Sequence, residues 1–175
     1  LCDNNTYIDQ YFLGEPAFSC YIEAEDARVL LDVGYSDVFL RNAEKMGIDL
    51  SALTHVVLSH GHNDHTGGLV PFIEGKVAPA AKLIAHEDCF VGKYYGEEYI
   101  GAPYDVEQIL YLADCQLTAE PVAITENLWY LGEIPRKLDF EPRTVIGKRE
   151  RMGEWEEDDL LDDTALAYRT EKGLF

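Results

Sequence analysis

Three histidines and one aspartate fall within the six consecutive residues HGHNDH, at positions 60–65 of a chain that has only five histidines. Imidazole is the side chain that most often binds metal at neutral pH. His60 and His62 are two positions apart, so an extended loop can turn both toward one cation. Asp64 and His65 are displaced along the loop and can face a second cation. Two metals about 3.5–4 Å apart can activate a water as hydroxide and stabilise attacking and leaving oxygens. The cluster therefore predicts a binuclear metal centre for hydrolysis.

The remaining histidines offer few further ligands, although a catalytic zinc takes about three from protein. We expect His55, which precedes the cluster on a strand, to be packed and hydrogen-bonded. His86 follows the next apolar run, and it either lines the pocket and binds substrate or lies in a surface loop. Arg136, with Lys137 and Arg143, forms a modest basic group that either meets a substrate phosphate or is solvated.

Length, charge and composition limit the possible functions. The 175 residues carry a net charge of −19, which repels nucleic acid and anionic membranes. The sequence has neither an apolar run that could span a bilayer nor a secretory start, so we predict a soluble, cytoplasmic protein. Its partner is expected to be a small molecule, which can be anionic because a metal reverses the local charge. The four scattered cysteines indicate reduced core thiols.

Periodicity predicts an α/β domain around the cluster. Residues 17–34 indicate a β-hairpin that turns at Glu25 and Asp26. A helix is expected from the N-cap Ser36 to a stop at Gly47, and a buried strand over 54–59. A second helix with Pro71 in its first turn and a strand over 81–86 follow. Both His60 and His86 then lie beyond carboxyl ends of strands, where active loops of such folds collect.

The second half is less regular. Residues 91–142 hold six of the 11 tyrosines and predict an insertion that acts either as a substrate lid or as ordinary surface. Within it we expect a helix over 105–115, with Asp105 as N-cap, and a strand near 127–136. The end of the sequence predicts a strand over 164–170 and the start of its hairpin partner at 173–175. We therefore expect the 175 residues to be part of a longer chain.

The HGHNDH motif resembles the signature of the metallo-β-lactamase fold. The resemblance implies a single α/β domain over 1–175, an αββα sandwich that is incomplete at its C-terminus. It also implies that His60 and His62 bind one metal and that Asp64 and His65 bind the other. The upstream LLDVG at 30–34 is similar to an element whose aspartate, here Asp32, supports the metal loop from behind; the alternative is an aspartate in a turn.

A narrower resemblance covers most of the chain. LSHGHNDHTGGL, GEIPRKLDFEP and LLDDTALAYRTEKGL are similar to the branch of dihydropterin–ribofuranosylaminobenzene phosphate synthase-like hydrolases. The Asp162–Asp163 pair stands where the fold usually has its third metal-binding element. Either Asp162 or Asp163 can therefore contribute an extra carboxylate ligand, with Asp163 as the expected one, unless the pair is only an acidic turn.

The function that follows is metal-dependent hydrolysis of a small ester- or phosphate-containing substrate by a metal-bound hydroxide. Two divalent ions are expected, zinc in the first place, although the His and Asp donors also suit manganese or iron. Asp64 would be a ligand and accept a proton. Two alternatives stay open: a metal-binding module without turnover, and synthase chemistry on a phosphorylated pterin-related substrate. A nuclease is disfavoured by the net charge.

Overall fold

The first sheet carries the residues that lead into the histidine cluster. In the computed structural model, which describes residues 1–138 and 145–175, this sheet has the strand order β1-β2-β3-β4-β7. Its strands are β1 (Cys20–Ala24), β2 (Ala27–Leu31), β3 (His55–Val57), β4 (Lys82–Ala85) and β7 (Cys115–Leu117). The hairpin β1–β2 is antiparallel, and β2, β3, β4 and β7 are parallel. The predicted hairpin and the two predicted strands that follow it are confirmed.

The described part of the chain also forms two smaller antiparallel sheets. One has the order β13-β12-β9-β8, and the other has the order β11-β10-β5-β6. Their strands are β5 (Gly92–Tyr95), β6 (Glu98–Tyr99), β8 (Val122–Ala123), β9 (Leu128–Tyr130), β10 (Lys148–Arg151), β11 (Glu154–Glu157), β12 (Leu166–Thr170) and β13 (Gly173–Leu174). The predicted C-terminal hairpin is present as β12–β13. The tyrosine-rich segment 91–142 supplies strands to all three sheets, so its strands are an integral part of the domain. That the segment acts as a substrate lid stays a prediction.

Four α-helices connect the strands within residues 1–138 and 145–175. They are α1 (Val38–Met46), α2 (Asn63–Thr66), α3 (Leu69–Glu74) and α4 (Val106–Leu112). Helix α1 starts two residues after Ser36, whose hydroxyl accepts the Val38 N–H at 3.3 Å. It ends at Gly47, whose left-handed φ of 71° suits glycine. Asp105 and Gln108 form a reciprocal capping box at the start of α4.

The core has two parts because alternate residues of the first sheet point to opposite faces. Leu30, Val56 and Leu83 pack with buried residues of α1, α3 and α4. Val29 and Val57 pack instead against β9 and β12. These two strands belong to the sheet β13-β12-β9-β8, which is the second sheet of the domain. The order of layers is thus helices, first sheet, second sheet. The second helical layer of an αββα sandwich is not present among residues 1–138 and 145–175.

The parallel strands place functional loops at one edge. The cluster follows β3 and His86 follows β4, as predicted. All four cysteines are free, and Cys2 and Cys89 are buried. None of the helices in the described ranges is long and apolar enough to cross a membrane.

Candidate metal centre

Backbone hydrogen bonds connect the loop that carries the histidine cluster to three other segments of the chain. The His65 carbonyl accepts the N–H of Val33 at 3.0 Å, and the Ser59 carbonyl accepts the N–H of Thr164 at 2.9 Å. On another side, the Asn63 N–H donates to the Ile100 carbonyl at 2.8 Å. Residues 63–66 are wound into α2, a detail that the sequence did not indicate. Protein contacts alone thus hold the backbone of the loop in place.

Three side chains of this loop offer donor atoms to a common point. One ligand atom each of His60, His62 and Asp64 lies within 4.8 Å of the others. Asp64 also approaches His65, with Oδ2 3.2 Å from Nε2. Asp64 therefore lies between the histidine pair and His65, and it can serve either group. The division of the four residues into two metal sites stays a prediction.

Groups outside the cluster contact one nitrogen of each ring, and the second nitrogen of His65, Nε2, contacts Asp64 of the cluster itself. Nδ1 of His60 is 3.0 Å from Ser59 Oγ, which leaves Nε2 for a cation. Nε2 of His62 is 2.8 Å from Asp158 Oδ2, which leaves Nδ1. Nδ1 of His65 is 2.7 Å from Asp32 Oδ2. A second partner that fixes ring orientation is characteristic of histidine ligands of metals.

Asp32 lies behind the loop, at the position predicted for it. It is buried, with Oδ1 accepting the Ser59 N–H at 2.7 Å and Oδ2 contacting both Ser59 Oγ and His65 Nδ1. Asp32 has a φ of 57°, in the left-handed region that costs non-glycine residues energy. The surrounding hydrogen bonds hold it there. One carboxylate thus supports both the start of the loop and the ring of its last histidine.

The two half-buried histidines differ in proton affinity. Burial, with the neighbouring His65 and His62, lowers the pKa of His60 to about 4, so its ring is neutral and can bind metal at pH 7. Burial also disfavours charge on His65, but the hydrogen bonds that Asp32 and Asp64 accept from its ring outweigh this effect and raise the pKa of His65 to about 9. The loop therefore combines the neutral ring of His60 with the ring of His65, which lies between the carboxylates of Asp32 and Asp64.

Asp158 and Asp162 belong to the site and were not both foreseen. Asp158 was not predicted at all, yet it is fully buried against His62. Burial disfavours its charge, but the His62 hydrogen bond and Lys93 hold the pKa of Asp158 at about 2. Asp162 is also fully buried and accepts the Gly61 N–H through Oδ2 at 2.8 Å. No local motif marks Asp158, because it lies in an acidic run of ordinary appearance.

The group of donor atoms that lie within 4.8 Å of one another does not include three other predicted site residues, Asp163, His86 and Arg136. Asp163 is exposed, since the turn closed by its N–H to the Leu160 carbonyl places its neighbour Asp162 inward instead. His86 is 2% exposed and uses Nδ1 to accept the N–H of Asp88, two residues later in a 3-10 turn.

Arg136 pairs with Asp159, with Nη1 3.2 Å from Oδ2, and it also contacts the Asp159 carbonyl. A cleft opens over the donor group, and neither Arg136 nor His86 is among its described lining residues. The related Arg143 lies outside the described residues. His55 is half-buried with Nδ1 2.9 Å from Thr54 Oγ1, which agrees with a packed role.

The donor set fits a divalent cation. Zinc holds nitrogen and oxygen ligands at about 2.0–2.1 Å in a tetrahedron, which separates two ligands by about 3.3 Å. The 3.2 Å between Asp64 Oδ2 and His65 Nε2 matches this spacing. Imidazole and carboxylate donors suit zinc, manganese and iron alike. The residues that would hold metal are His60, His62, Asp64 and His65.

A cleft of about 710 Å³ opens over the donor group. The cluster supplies one wall, and the others come from the regions before α1 and around β5, β6 and β10. The lining side chains are those of Pro16, Tyr35, His60, His62, Asn63, Asp64, Tyr95, Glu98, Ile100 and Ile146. Burial, Asp64 and Glu98 raise the pKa of Tyr35, so its hydroxyl remains a donor at neutral pH. The cleft can therefore enclose a small molecule beside the donor atoms.

Comparison with known protein families agrees with this geometry. The sequence model of the metallo-β-lactamase superfamily matches residues 14–157, which include the whole cluster and Asp32. The chain belongs to the metallo-β-lactamase superfamily. The predicted family and its mixed α/β fold are thereby confirmed.

Several relatives within the metallo-β-lactamase superfamily are similar over most of the chain. A crystal structure of a metal-dependent hydrolase of the β-lactamase superfamily is 35% identical, with a TM-score of 0.78 over 99% of this chain and 61% of the other. An uncharacterized protein of Methanocaldococcus jannaschii is 35% identical over 81% of this chain and 54% of its own length. The 7,8-dihydropterin-6-methyl-4-(β-D-ribofuranosyl)-aminobenzene-5'-phosphate synthase of the same organism is 29% identical over 93% and 60%. The chain thus spans between 54% and 61% of the length of these relatives.

Proposed function

We propose that this metallo-β-lactamase superfamily protein is a metal-dependent hydrolase of a small ester, with two bound divalent ions, zinc in the first place. The observation that carries the proposal is that His60, His62 and Asp64, which line the cleft, each offer a ligand atom within 4.8 Å of the others. The similar metal-dependent hydrolase, at 35% identity, supports it. When bound, the metal supplies a Lewis acid that activates water and polarises the substrate carbonyl.

The residues of the chain provide orientation and proton handling. Asp158 and Asp32 fix the rings of His62 and His65 through Nε2 and Nδ1, respectively. Asp64 has a carboxylate at the cleft surface, in reach of a proton lost by the attacking water. The Tyr35 hydroxyl, in the same cleft, can donate to the oxygen on which negative charge develops.

A direct screen tests the proposal. The protein is loaded with Zn²⁺ or Mn²⁺, its metal content is measured, and it is assayed on neutral aryl esters, lactones and p-nitrophenyl phosphate. We expect two ions per chain and ester hydrolysis that EDTA abolishes. Tight metal binding without turnover of any ester or phosphoester would contradict the proposal and identify a metal-binding module.

The walls of the cleft favour an uncharged substrate body. Asp64 and Glu98 line the cleft, whereas none of the described lining residues is a lysine or an arginine. The half-exposed Tyr35 and the more exposed Tyr95 offer aromatic surface instead. Anionic groups away from the metals would therefore meet repulsion, which favours a neutral ester over a phosphate-bearing substrate.

Charge reversal at Glu98 is expected to relax this selectivity. At about 8 Å in water, a change of two charge units shifts the energy of a monoanion by about 1 kcal/mol, or roughly fivefold in kcat/KM. We expect Glu98→Lys to raise kcat/KM for an anionic ester by this factor at low salt and to leave a neutral ester unchanged. Glu97→Lys has the same net charge one residue outside the lining and is the control. Equal gains in both variants would rule out a local effect of Glu98.

A second candidate is synthase chemistry on a phosphorylated, pterin-related substrate. The 29% identity to the M. jannaschii synthase over 93% of the chain favours it. The same screen separates the candidates, because a synthase would bind metal and a phosphorylated substrate yet hydrolyse no neutral ester. The acidic lining described above weighs toward hydrolysis of a neutral substrate.

A further inference from the structure

Lys93 lies on β5 with its side chain fully buried, next to the metal loop. An ammonium group in a protein interior requires nearby negative charge. Two carboxylates provide it: Nζ is 3.0 Å from Asp162 Oδ1 and 3.6 Å from Asp158 Oδ1. Both aspartates are themselves fully buried. The three residues thus form a closed group of charges that has no contact with solvent.

Each aspartate uses its second oxygen to hold the metal loop. Asp162 Oδ2 accepts the backbone N–H of Gly61 at 2.8 Å, and Asp158 Oδ2 lies 2.8 Å from Nε2 of His62. Lys93 is therefore connected to the backbone of one loop residue and to the ring of the next. Lys93 and both aspartates are absent from the cleft lining, so the two connections reach the loop from outside the cleft.

The charges of the group are unequal. Two carboxylates face a single ammonium, so one negative charge remains, and it is the Asp158 carboxylate that reaches His62. An anionic acceptor on one imidazole nitrogen raises the basicity of the ring toward a metal at the other nitrogen. Without Lys93, two buried carboxylates would repel each other beside the loop, and neither would keep its position.

We propose that Lys93 is a positioning residue of the metal centre, which acts through Asp158 and Asp162 to align His62 and the loop at Gly61. Metal affinity at the His60–His62 pair then depends on a residue that does not touch the cation. This inference rests on the proposed metal binding and goes beyond it, since neither the HGHNDH motif nor the cleft includes Lys93.

The test measures Co²⁺ affinity by calorimetry and the visible absorption of the Co²⁺-loaded protein. We expect Lys93→Met and Asp158→Asn each to weaken Co²⁺ binding about 10- to 100-fold, the usual effect of losing a partner behind a metal ligand. Their Co²⁺ spectra should also change, because His62 loses its orientation. Lys82→Met, a lysine of β4 outside this group, is the control and should bind as the wild type does.

The outcomes separate the inference from the proposed function. Asp158→Asn leaves one lysine facing one carboxylate, so it is expected to fold even if Lys93→Met does not. A folded Lys93→Met or Asp158→Asn variant with wild-type affinity and spectrum would overturn the role of Lys93. A wild-type protein that binds no Co²⁺ would instead contradict the proposed function.

Discussion

Replacing His62 by alanine is expected to remove bound metal and to lower hydrolysis by more than the roughly 10- to 100-fold that loss of an outer partner costs. The variant loses a nitrogen donor of the loop and also leaves the buried Asp158 carboxylate without its imidazole partner. The carboxylate then depends on the more distant Lys93 ammonium at 3.6 Å, and weakening the pairing of a buried charge is costly, so the loop near residue 62 should also lose order. Metal content by mass spectrometry and kcat/KM on the ester found by screening measure the effect.

His55→Ala is the matched control for that experiment. His55 is a half-buried histidine at the start of β3, and it is not part of the donor group. We expect it to keep the metal and its activity while losing modest stability. If His62→Ala retained a full complement of metal, the assignment of this ring as a ligand would be wrong.

Gly61→Ala is expected to destabilise the fold by about 3 kcal/mol, at the upper end for overpacking a tight interior. A methyl group at this position would overlap the carbonyl of Cys89 and come within 2.9 Å of Lys93 Cε. The Gly61 N–H would also move away from Asp162, which adds an unsatisfied buried acceptor. For a chain of this size the melting temperature should fall by about 6–12 °C in EDTA.

Gly92→Ala provides the comparison, because an added methyl there meets its nearest neighbour at 3.4 Å, an ordinary contact. We expect its melting temperature to stay within a few degrees of the wild type. Equal melting of the two variants would show that the approach of the loop to Cys89 carries no constraint. Retained Co²⁺ affinity in Gly61→Ala would contradict the rigid loop geometry.

The sequence predicts the local half of the centre well. His60, His62, Asp64 and His65 are close in sequence, so their types and spacing alone indicate a metal loop at a strand end. The LLDVG motif indicated Asp32 through its resemblance to a known element. Hairpin, helix and parallel strands around the loop follow from periodicity and from signals such as Gly47 at the helix end.

The other half depends on tertiary packing and could not be predicted. Asp158 and Lys93 reach the loop from distant segments, and neither stands in a pattern that marks a buried charge. The choice between Asp162 and Asp163 depends on which side chain a turn directs inward, which residue types do not reveal. Arg136 looked available for a phosphate, but Asp159 takes up its guanidinium.

The contacts that hold the metal loop from behind also determine when it can form. The hydrogen bonds from Asp158 and Asp162 join residues 96 and 101 positions apart along the chain. Closing a flexible loop of about 100 residues costs on the order of 4 kcal/mol of entropy, which must be met before the native contacts compensate. Early during folding, a cation therefore meets only the flexible HGHNDH segment, whose side chains are not yet aligned. The alignment of the donor group therefore depends on docking of the last third of the chain, and the metal binding that we propose is expected to tighten only at that stage.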